Sequence, residues 1–570
     1  SWQSYDRDSI SEGGGVWSRR EKSIDLTDEV RLALDTDATS LTPDELIQII
    51  LRAPVDLLWN GGIGTYVKAS SESHVDCYDR ANDSVRVDAA ELRCSVVGEG
   101  GNLGFTQMGR IEYARNGGRI NTDFIDNSGG VDCSDREVNL KILLGVAEER
   151  GELNHEDRVA LISGVTEDVT VRVLADNYDQ ALILSQDEER SVPNLEAYED
   201  LMKTLERHGL LNRELEGLPS TDEIAERARD GRGLTRPELS VLLAYAKQDL
   251  KNALIESDVP DLPDVLPELR AYFPDEVTKR FGHLLEDHPL KREILATVLA
   301  SRVLNDEGIT FVNRLVMETG ATRAEVVPAY RLAHRLIGAH ERWVAVEQLD
   351  VDVDPALRRE LLDAIDYLVE SVTRWYLARP DESLTPDELE SARKSFAELE
   401  VSFAEADFDD WREHGVAEVA ELVVAGIPTE LATRHVYHEK LVHAPDIIEL
   451  ANQSDRDVSE IVELYILIGD RYQLDWLEGQ VGQLAATTRW DRWAIRSLEG
   501  DLIRLRRDIA GWVLASGDGL GPNAALDAYA KARAERHARL AQFMNLLAQE
   551  GSVDLDPLLV ATRQIRALAG

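Results

Sequence analysis

The sequence predicts a partial doubly wound (Rossmann-like) parallel α/β sheet followed by a large all-α domain. Three observations carry that expectation. Three glycine loops close apolar runs near the start of the chain: Trp59-Asn60-Gly61-Gly62-Ile63-Gly64, Gly98-Glu99-Gly100-Gly101-Asn102 and Asn127-Ser128-Gly129-Gly130. Well over a third of the 38 glycines fall in about the first quarter of the 570 residues, which marks a loop-rich unit rather than a bundle. Beyond residue 150 the apolar spacing becomes helical and strand alternation is scarce.

In chain order, Gly13-Gly14-Gly15 lacks the Lys-Ser/Thr of a phosphate loop and reads as a turn. A helix is expected from Thr42-Pro43-Asp44-Glu45, with Thr42 as N-cap, Pro43 in the first turn and Glu45 closing a capping box. Its apolar stripe is Leu46, Ile47, Ile49 and Ile50. Val55–Trp59 and Cys94–Val97 read as buried strands, parallel and joined by helical crossovers. The third glycine loop opens a helix, and Ser134 or Asp135 is expected to cap a helix over Arg136–Glu149. A second capping box, Thr235-Arg236-Pro237-Glu238, introduces Leu239, Leu242, Leu243, Ala246 and Leu250. Further stripes follow at 294–303, 360–376, 416–424, 461–467 and 501–514. Breaks are expected at 258–263 and 379–382. Leu41–Leu46 recurs as Leu384–Leu389, which reads as two efficient helix starts rather than a repeat. The boundaries expected are 1–150 for the sheet unit, 151–380 for a first helical lobe and 381–570 for a second.

Composition narrows the function. The chain has 107 acidic against 62 basic residues, a net charge of -45. Nucleic acid and anionic membrane surfaces are poor partners for such a surface. The acidity is dispersed, as in a solvated surface. Cys77, Cys94 and Cys133 fit no zinc or redox spacing, and a reduced, cytoplasmic setting is the natural one. No run of roughly 18 apolar residues occurs. The chain begins without Met and inside an apparent motif, Trp2-Gln3-Ser4-Tyr5-Asp6, so it is expected to be a piece of something longer.

The glycine loops are the candidate site. In a doubly wound sheet a ligand lies outside the carboxyl ends of the strands, where such loops gather. Gly61, Gly62, Gly100 and Gly101 admit close approach of a ligand to the backbone and tolerate positive φ. Asn102 and Asn127 add amide groups suited to a carboxamide or a ribose hydroxyl, or alternatively serve as left-handed turn residues. The full G-x-G-x-x-G fingerprint is missing, and a half match alone is more often a turn. His438-Glu439-Lys440-Leu441-Val442-His443 is one residue too long for H-E-x-x-H, so no metal site and a polar helix surface are expected. Trp476, Trp490, Trp493 and Trp512 read as core anchors. No base and nucleophile pair stands out.

Several long strings resemble the large, NAD-specific bacterial glutamate dehydrogenases. They are Trp2–Asp6, Ile10–Val16, Ala53–Lys68, Val97–Gly104, Asp123–Asp135 and Leu234–Tyr245, and the likeness covers most of 1–380. The resemblance implies oxidative deamination of L-glutamate to 2-oxoglutarate and ammonium with NAD. It implies that Asn102 meets the nicotinamide-side ribose, that Asn127 holds the nicotinamide carboxamide, and that Val131 and Ser134 line the glutamate pocket. Asp132 and Cys133 stand where smaller relatives have Thr and Val. The family's catalytic lysines, catalytic aspartate and first Rossmann glycines have no counterpart in these residues. The expected partners are therefore the rest of a longer polypeptide and further copies in a homo-oligomer, and the chain alone is expected to be inactive. Two other readings stay open: a helical oligomerisation or regulatory scaffold without catalysis, and a non-catalytic nucleotide sensor.

Overall fold

The computed structural model describes residues 4–379, 384–406, 409–486, 489–517, 519–549 and 554–568. Two compact units divide the chain, Ser1–Arg314 and Leu315–Gly570.

The first unit opens with short elements. Strands β1 (Ile24–Asp25) and β2 (Ser40–Leu41) pair antiparallel, with helix α1 (Asp28–Leu34) between them. Helix α2 (Pro43–Leu51) starts as its sequence requires. The Glu45 carboxylate accepts the Thr42 N–H at 2.8 Å, the Thr42 hydroxyl accepts the Glu45 N–H at 3.4 Å, and Pro43 sits in the first turn. Leu46 turns inward onto Ile24 and Leu26.

Strand β3 (Leu57–Asn60) runs parallel to β6 (Val96–Glu99), in register Leu57↔Val96 through Asn60↔Glu99. The parallel pairing is as predicted, but the burial differs. Leu58 and Val97 face a core that includes Val67, Val87, Phe105 and Tyr113. Leu57 and Trp59 point the other way and are 53% and 61% exposed. Successive side chains of a strand face opposite sides, and among the described residues nothing covers this outer face. The crossover is not helical either. It consists of single 3-10 turns and a second parallel pair, β4 (Val67–Lys68) with β5 (Val87–Asp88). The described residues of this region thus hold small parallel sheets of two strands each.

Helices α3 (Gln107–Arg115) and α4 (Asp123–Asp126) follow, then α5 (Ser128–Glu149). The expected cap at Ser134 or Asp135 is overturned. The helix begins six residues before Ser134, and both residues are exposed in its interior. The third glycine loop does open the helix, as expected: Gly129 and Gly130 lie in its first turn, where glycine costs only ~1 kcal/mol. Helices α6 (His155–Gly164), α7 (Thr166–Ser191), α8 (Leu195–Arg207), α9 (Thr221–Arg229) and α10 (Arg236–Ile255) complete the helical part that bears on the site. In α10 the predicted stripe Leu239, Leu242, Leu243, Ala246 and Leu250 is buried throughout. The proline-rich 258–263 stretch ends α10 and continues as single 3-10 turns.

The second unit is helical among its described residues, with long helices at Pro355–Leu377, Pro386–Glu405, Val458–Tyr472 and Arg489–Ser516. Thr385 and Glu388 reproduce the capping box of Thr42 and Glu45. Of the break expected at 379–382, Pro380, Asp381 and Glu382 lie outside the described residues. Trp490 and Trp493 are 67% and 37% exposed rather than core anchors, because the buried stripe of their helix, Leu498, Leu502, Leu505 and Ile509, starts after them. His443 is not on a polar surface. It is buried, with its ring 5.6 Å from that of Tyr465. His438 opens one short helix (His438–Leu441) while His443 precedes the next (Ala444–Ser454), so the two do not share a helical face.

Candidate cofactor site

The second glycine loop is fixed by a buried ion pair. Glu99, the last residue of β6, is fully buried, and Arg110 of α3 grips both its oxygens, Nε to Oε2 at 2.6 Å and Nη2 to Oε1 at 3.0 Å. The Phe105 N–H donates to Glu99 Oε1 at 3.2 Å. Burial pushes the Glu99 carboxyl above the usual carboxylate range, and the Arg110 guanidinium opposes that shift. Two aspartates of α4 hold the loop from outside: Asp126 accepts the Glu99 N–H at 2.8 Å and Asp123 accepts the Leu103 N–H at 2.9 Å. This frame joins residues far apart in the sequence. Its only signal was a glutamate inside a glycine string followed eleven positions later by an arginine.

The first and second loops touch. The Gly101 N–H donates to the Asn60 carbonyl at 2.8 Å. A Cβ on Gly101 would lie 2.6 Å from the Gly62 carbonyl oxygen, and one on Gly100 would lie 2.2 Å from the Trp59 ring. Close approach is therefore why these two are glycine. Positive φ is not, since among Gly61, Gly62, Gly100 and Gly101 none adopts it. Gly62 has open space where its Cβ would be, and Gly61 has only the Trp59 ring at 3.6 Å. The backbone of this loop is thus open to an approaching group.

The third loop joins them. Asn127 Nδ2 donates to Asn102 Oδ1 at 3.2 Å, so the two asparagines 25 positions apart form one amide pair. Neither is a left-handed turn residue; that conformation falls on Leu103, at φ 62°. That bond leaves Asn102 Nδ2 and Asn127 Oδ1 outside the pair, one donor and one acceptor, the complement of a carboxamide. Asn177 of α7 braces the start of α5, donating to the Ile125 carbonyl and the Ser128 hydroxyl, each at 2.8 Å. A Cβ on Gly130 would lie 2.8 Å from Asn127 Oδ1, so glycine there lets the amide lie over the first turn.

Val131 and Ser134 lie four and seven positions after Asn127, along one face of α5. Val131 is 66% exposed and Ser134 is exposed. Asp132 turns from that face into a cluster missed in sequence. Both its oxygens take the Arg136 Nε–H at 3.1 Å, and Arg136 also binds Asp176 and the Tyr272 carbonyl. Burial raises the Asp132 carboxyl to about 6, with Arg136 opposing. The i, i+4 spacing of Asp132 and Arg136 was the available signal.

Residues 1–187 match the family described as bacterial NAD-glutamate dehydrogenase, catalytic domain, and residues 231–567 match glutamate dehydrogenase, C-terminal. The chain belongs to the bacterial NAD-glutamate dehydrogenase family. A protein of Pseudomonas aeruginosa named NAD-specific glutamate dehydrogenase is 41% identical over 520 residues, covering 91% of this chain and 32% of that protein. Its namesake from Halomonas elongata is 39% identical over 519 residues, with the same shares of each chain. A third protein of that name, from Mycobacterium tuberculosis, is 37% identical over 579 residues, covering 100% of this chain and 35% of that protein. The chain spans about a third of the length of these relatives. The three glycine loops and the amide pair all fall within the stretch matched to the catalytic domain.

Proposed function

We propose that the three-loop surface holds the nicotinamide end of NAD, in an enzyme that oxidatively deaminates L-glutamate to 2-oxoglutarate and ammonium. The observation that carries this reading is the Asn102–Asn127 pair at the meeting point of the loops. Bound there, NAD would accept the hydride from the glutamate α-carbon. The residues of this chain bind and orient. Asn102 Nδ2 and Asn127 Oδ1 would fix the carboxamide and neighbouring ribose, Gly61, Gly62, Gly100 and Gly101 give backbone access, and Val131 and Ser134 would form a wall of the glutamate pocket. The exposed apolar side chains of Trp59, Ile63 and Leu103 border the loops and suit the flat face of a ring.

We infer that β3 and β6 are part of a larger doubly wound sheet. The bare outer face of Leu57 and Trp59 supports this, because apolar strand residues of a parallel sheet are normally covered on both sides. Residues 1–150 would then be half of a cofactor domain, with 151–380 and 381–570 as helical lobes. The lysines that hold glutamate and the acid/base group would come from elsewhere in a longer, cytoplasmic, homo-oligomeric polypeptide.

The test is Asn127→Ala in the catalytically competent protein. Losing one or two neutral hydrogen bonds raises the KM for NAD roughly three- to tenfold. The KM for glutamate moves less. An unchanged KM and kcat with NAD as the varied substrate would rule the reading out.

A further inference from the structure

Three consecutive residues at the start of α10 reach the elements that hold the second glycine loop. The Pro237 carbonyl accepts the Gln107 Nε2–H at 3.1 Å, and Glu238 accepts from Arg115 Nη2 at 3.4 Å. Both partners belong to α3, the helix whose Arg110 grips Glu99. Arg236 reaches further. Its Nε donates to Asn121 Oδ1 at 2.8 Å, and Asn121 Nδ2 donates to Asp126 Oδ1 at 2.8 Å. Asp126 Oδ2 in turn accepts the Glu99 N–H at 2.8 Å. One unbroken hydrogen-bond chain thus runs from α10 to the last residue of β6.

The partners of Arg236 are unusual for a cation. Its side chain is 17% exposed, and its hydrogen bonds go to neutral acceptors: Asn121 Oδ1, Ser185 Oγ at 2.8 Å and the Ala181 carbonyl at 3.2 Å. Glu188 stands off at 3.8 Å. Burial pushes the guanidinium below its usual range, with Glu188 and Asp126 opposing. A desolvated cation on neutral acceptors is a costly way to join helices. It is a good way to fix direction. Nη1 and Nη2 anchor the planar fork to α7 and aim Nε at Asn121. Because arginine only donates, Asn121 must turn its oxygen to Arg236 and therefore its NH2 to Asp126. That leaves the second Asp126 oxygen for the Glu99 N–H.

We propose that Arg236 is a positioning residue for the cofactor site: by fixing the direction of the Asn121 amide it holds Asp126 on the Glu99 N–H, and so sets the loop that carries Asn102. The proposal rests on the cofactor reading of that loop. Arg236 itself touches neither nicotinamide nor glutamate in this account. It lies beyond residues 1–187, so the part of the chain matched to the C-terminal family shapes the site in the catalytic part. The helix that anchors it, α7, also carries Asn177, which braces the third loop. Both members of the amide pair are thereby referred to one helix.

The test uses the catalytically competent protein. Asn121→Asp keeps an acceptor for Arg236, so α10 stays anchored, but sets a second carboxylate against Asp126. Arg236→Lys keeps the charge and loses the fork that spans three acceptors. Each raises the KM for NAD roughly three- to tenfold, while kcat at saturating NAD and the KM for glutamate move less. In the double variant the rise falls short of the product of the two singles, because both cut one chain. A merely structural loss would lower the active fraction, and with it kcat, and leave the KM for NAD in place. Amide exchange gives a readout free of the cofactor: in Asn121→Asp it quickens at Glu99 more than at Leu103, whose N–H is held by Asp123 instead. The proposal is overturned if the KM for NAD stays at the parent value in both variants while Asn127→Ala raises it. It is equally overturned if the two effects multiply, or if Glu99 and Leu103 quicken alike. An unchanged KM in Asn127→Ala removes the cofactor reading itself, and the proposal with it.

Discussion

Replacing Arg110 by methionine removes the strut beneath the second glycine loop. The change leaves Glu99 fully buried with only the Phe105 N–H on its carboxylate. Breaking a buried ion pair from one side costs about 3–5 kcal/mol. Glu99 escapes part of that by taking up a proton, since burial already raises its pKa. A local loss of about 3 kcal/mol follows, a hundredfold or more in opening. The chain has two compact units, so a single global melt is a poor measure. Amide hydrogen exchange at Glu99, Gly101 and Leu103 is the better assay, because these N–H groups are held by Asp126, the Asn60 carbonyl and Asp123. In the variant a raised folded pKa means that the native state holds the proton more tightly than the unfolded one. The variant is therefore least damaged at low pH, and the defect grows as pH rises through the raised pKa. Adding Glu99→Gln removes the stranded charge and restores part of the protection. Exchange unchanged in Arg110→Met, or no recovery in the double variant, would refute the strut.

Three further outcomes follow from the same geometry. Gly101→Ala places a Cβ 2.6 Å from the Gly62 carbonyl, backbone that cannot yield cheaply, so the two loops separate at a cost of about 1–3 kcal/mol and exchange at Gly101 accelerates. Asp132, with its carboxyl raised to about 6, lowers stability as pH climbs from the ordinary carboxylate range through that value. Amide exchange along α5 in Asp132→Asn, compared with the parent at each pH, accordingly becomes relatively slower between about pH 4 and pH 7. Thr385→Ala removes the hydroxyl that accepts the Glu388 N–H and donates to its carboxylate, leaves the backbone half of the capping box in place, and costs about 1 kcal/mol, read as faster exchange in the first turn of Pro386–Glu405.

Local rules made much of this molecule legible from sequence. Thr42, Thr235 and Thr385 start helices as read, because capping is settled within four residues. The α10 stripe is buried as read, because helical period alone fixes its face. The amide pair was within reach because both asparagines border glycine loops after apolar runs. What escaped depends on distant partners. Leu57 and Trp59 look like a buried strand, yet their exposure is decided by neighbours the strand itself does not encode. The cap expected at Ser134 or Asp135 falls inside α5 because their side chains suit an N-cap locally, whereas the helix starts where Asn177 braces Ser128 from another helix. His443 is buried by packing against Tyr465, 22 positions on. The Glu99 frame joins β6, α3 and α4, a juxtaposition that no periodicity announces.

The central claim is that the loops converge to seat a nicotinamide ring, and a structure of the catalytically competent protein with NADH tests it most directly. The account predicts the carboxamide within about 3.5 Å of Asn127 Oδ1 and Asn102 Nδ2, with the ring beside Val131. A nicotinamide seated away from that amide pair would contradict it.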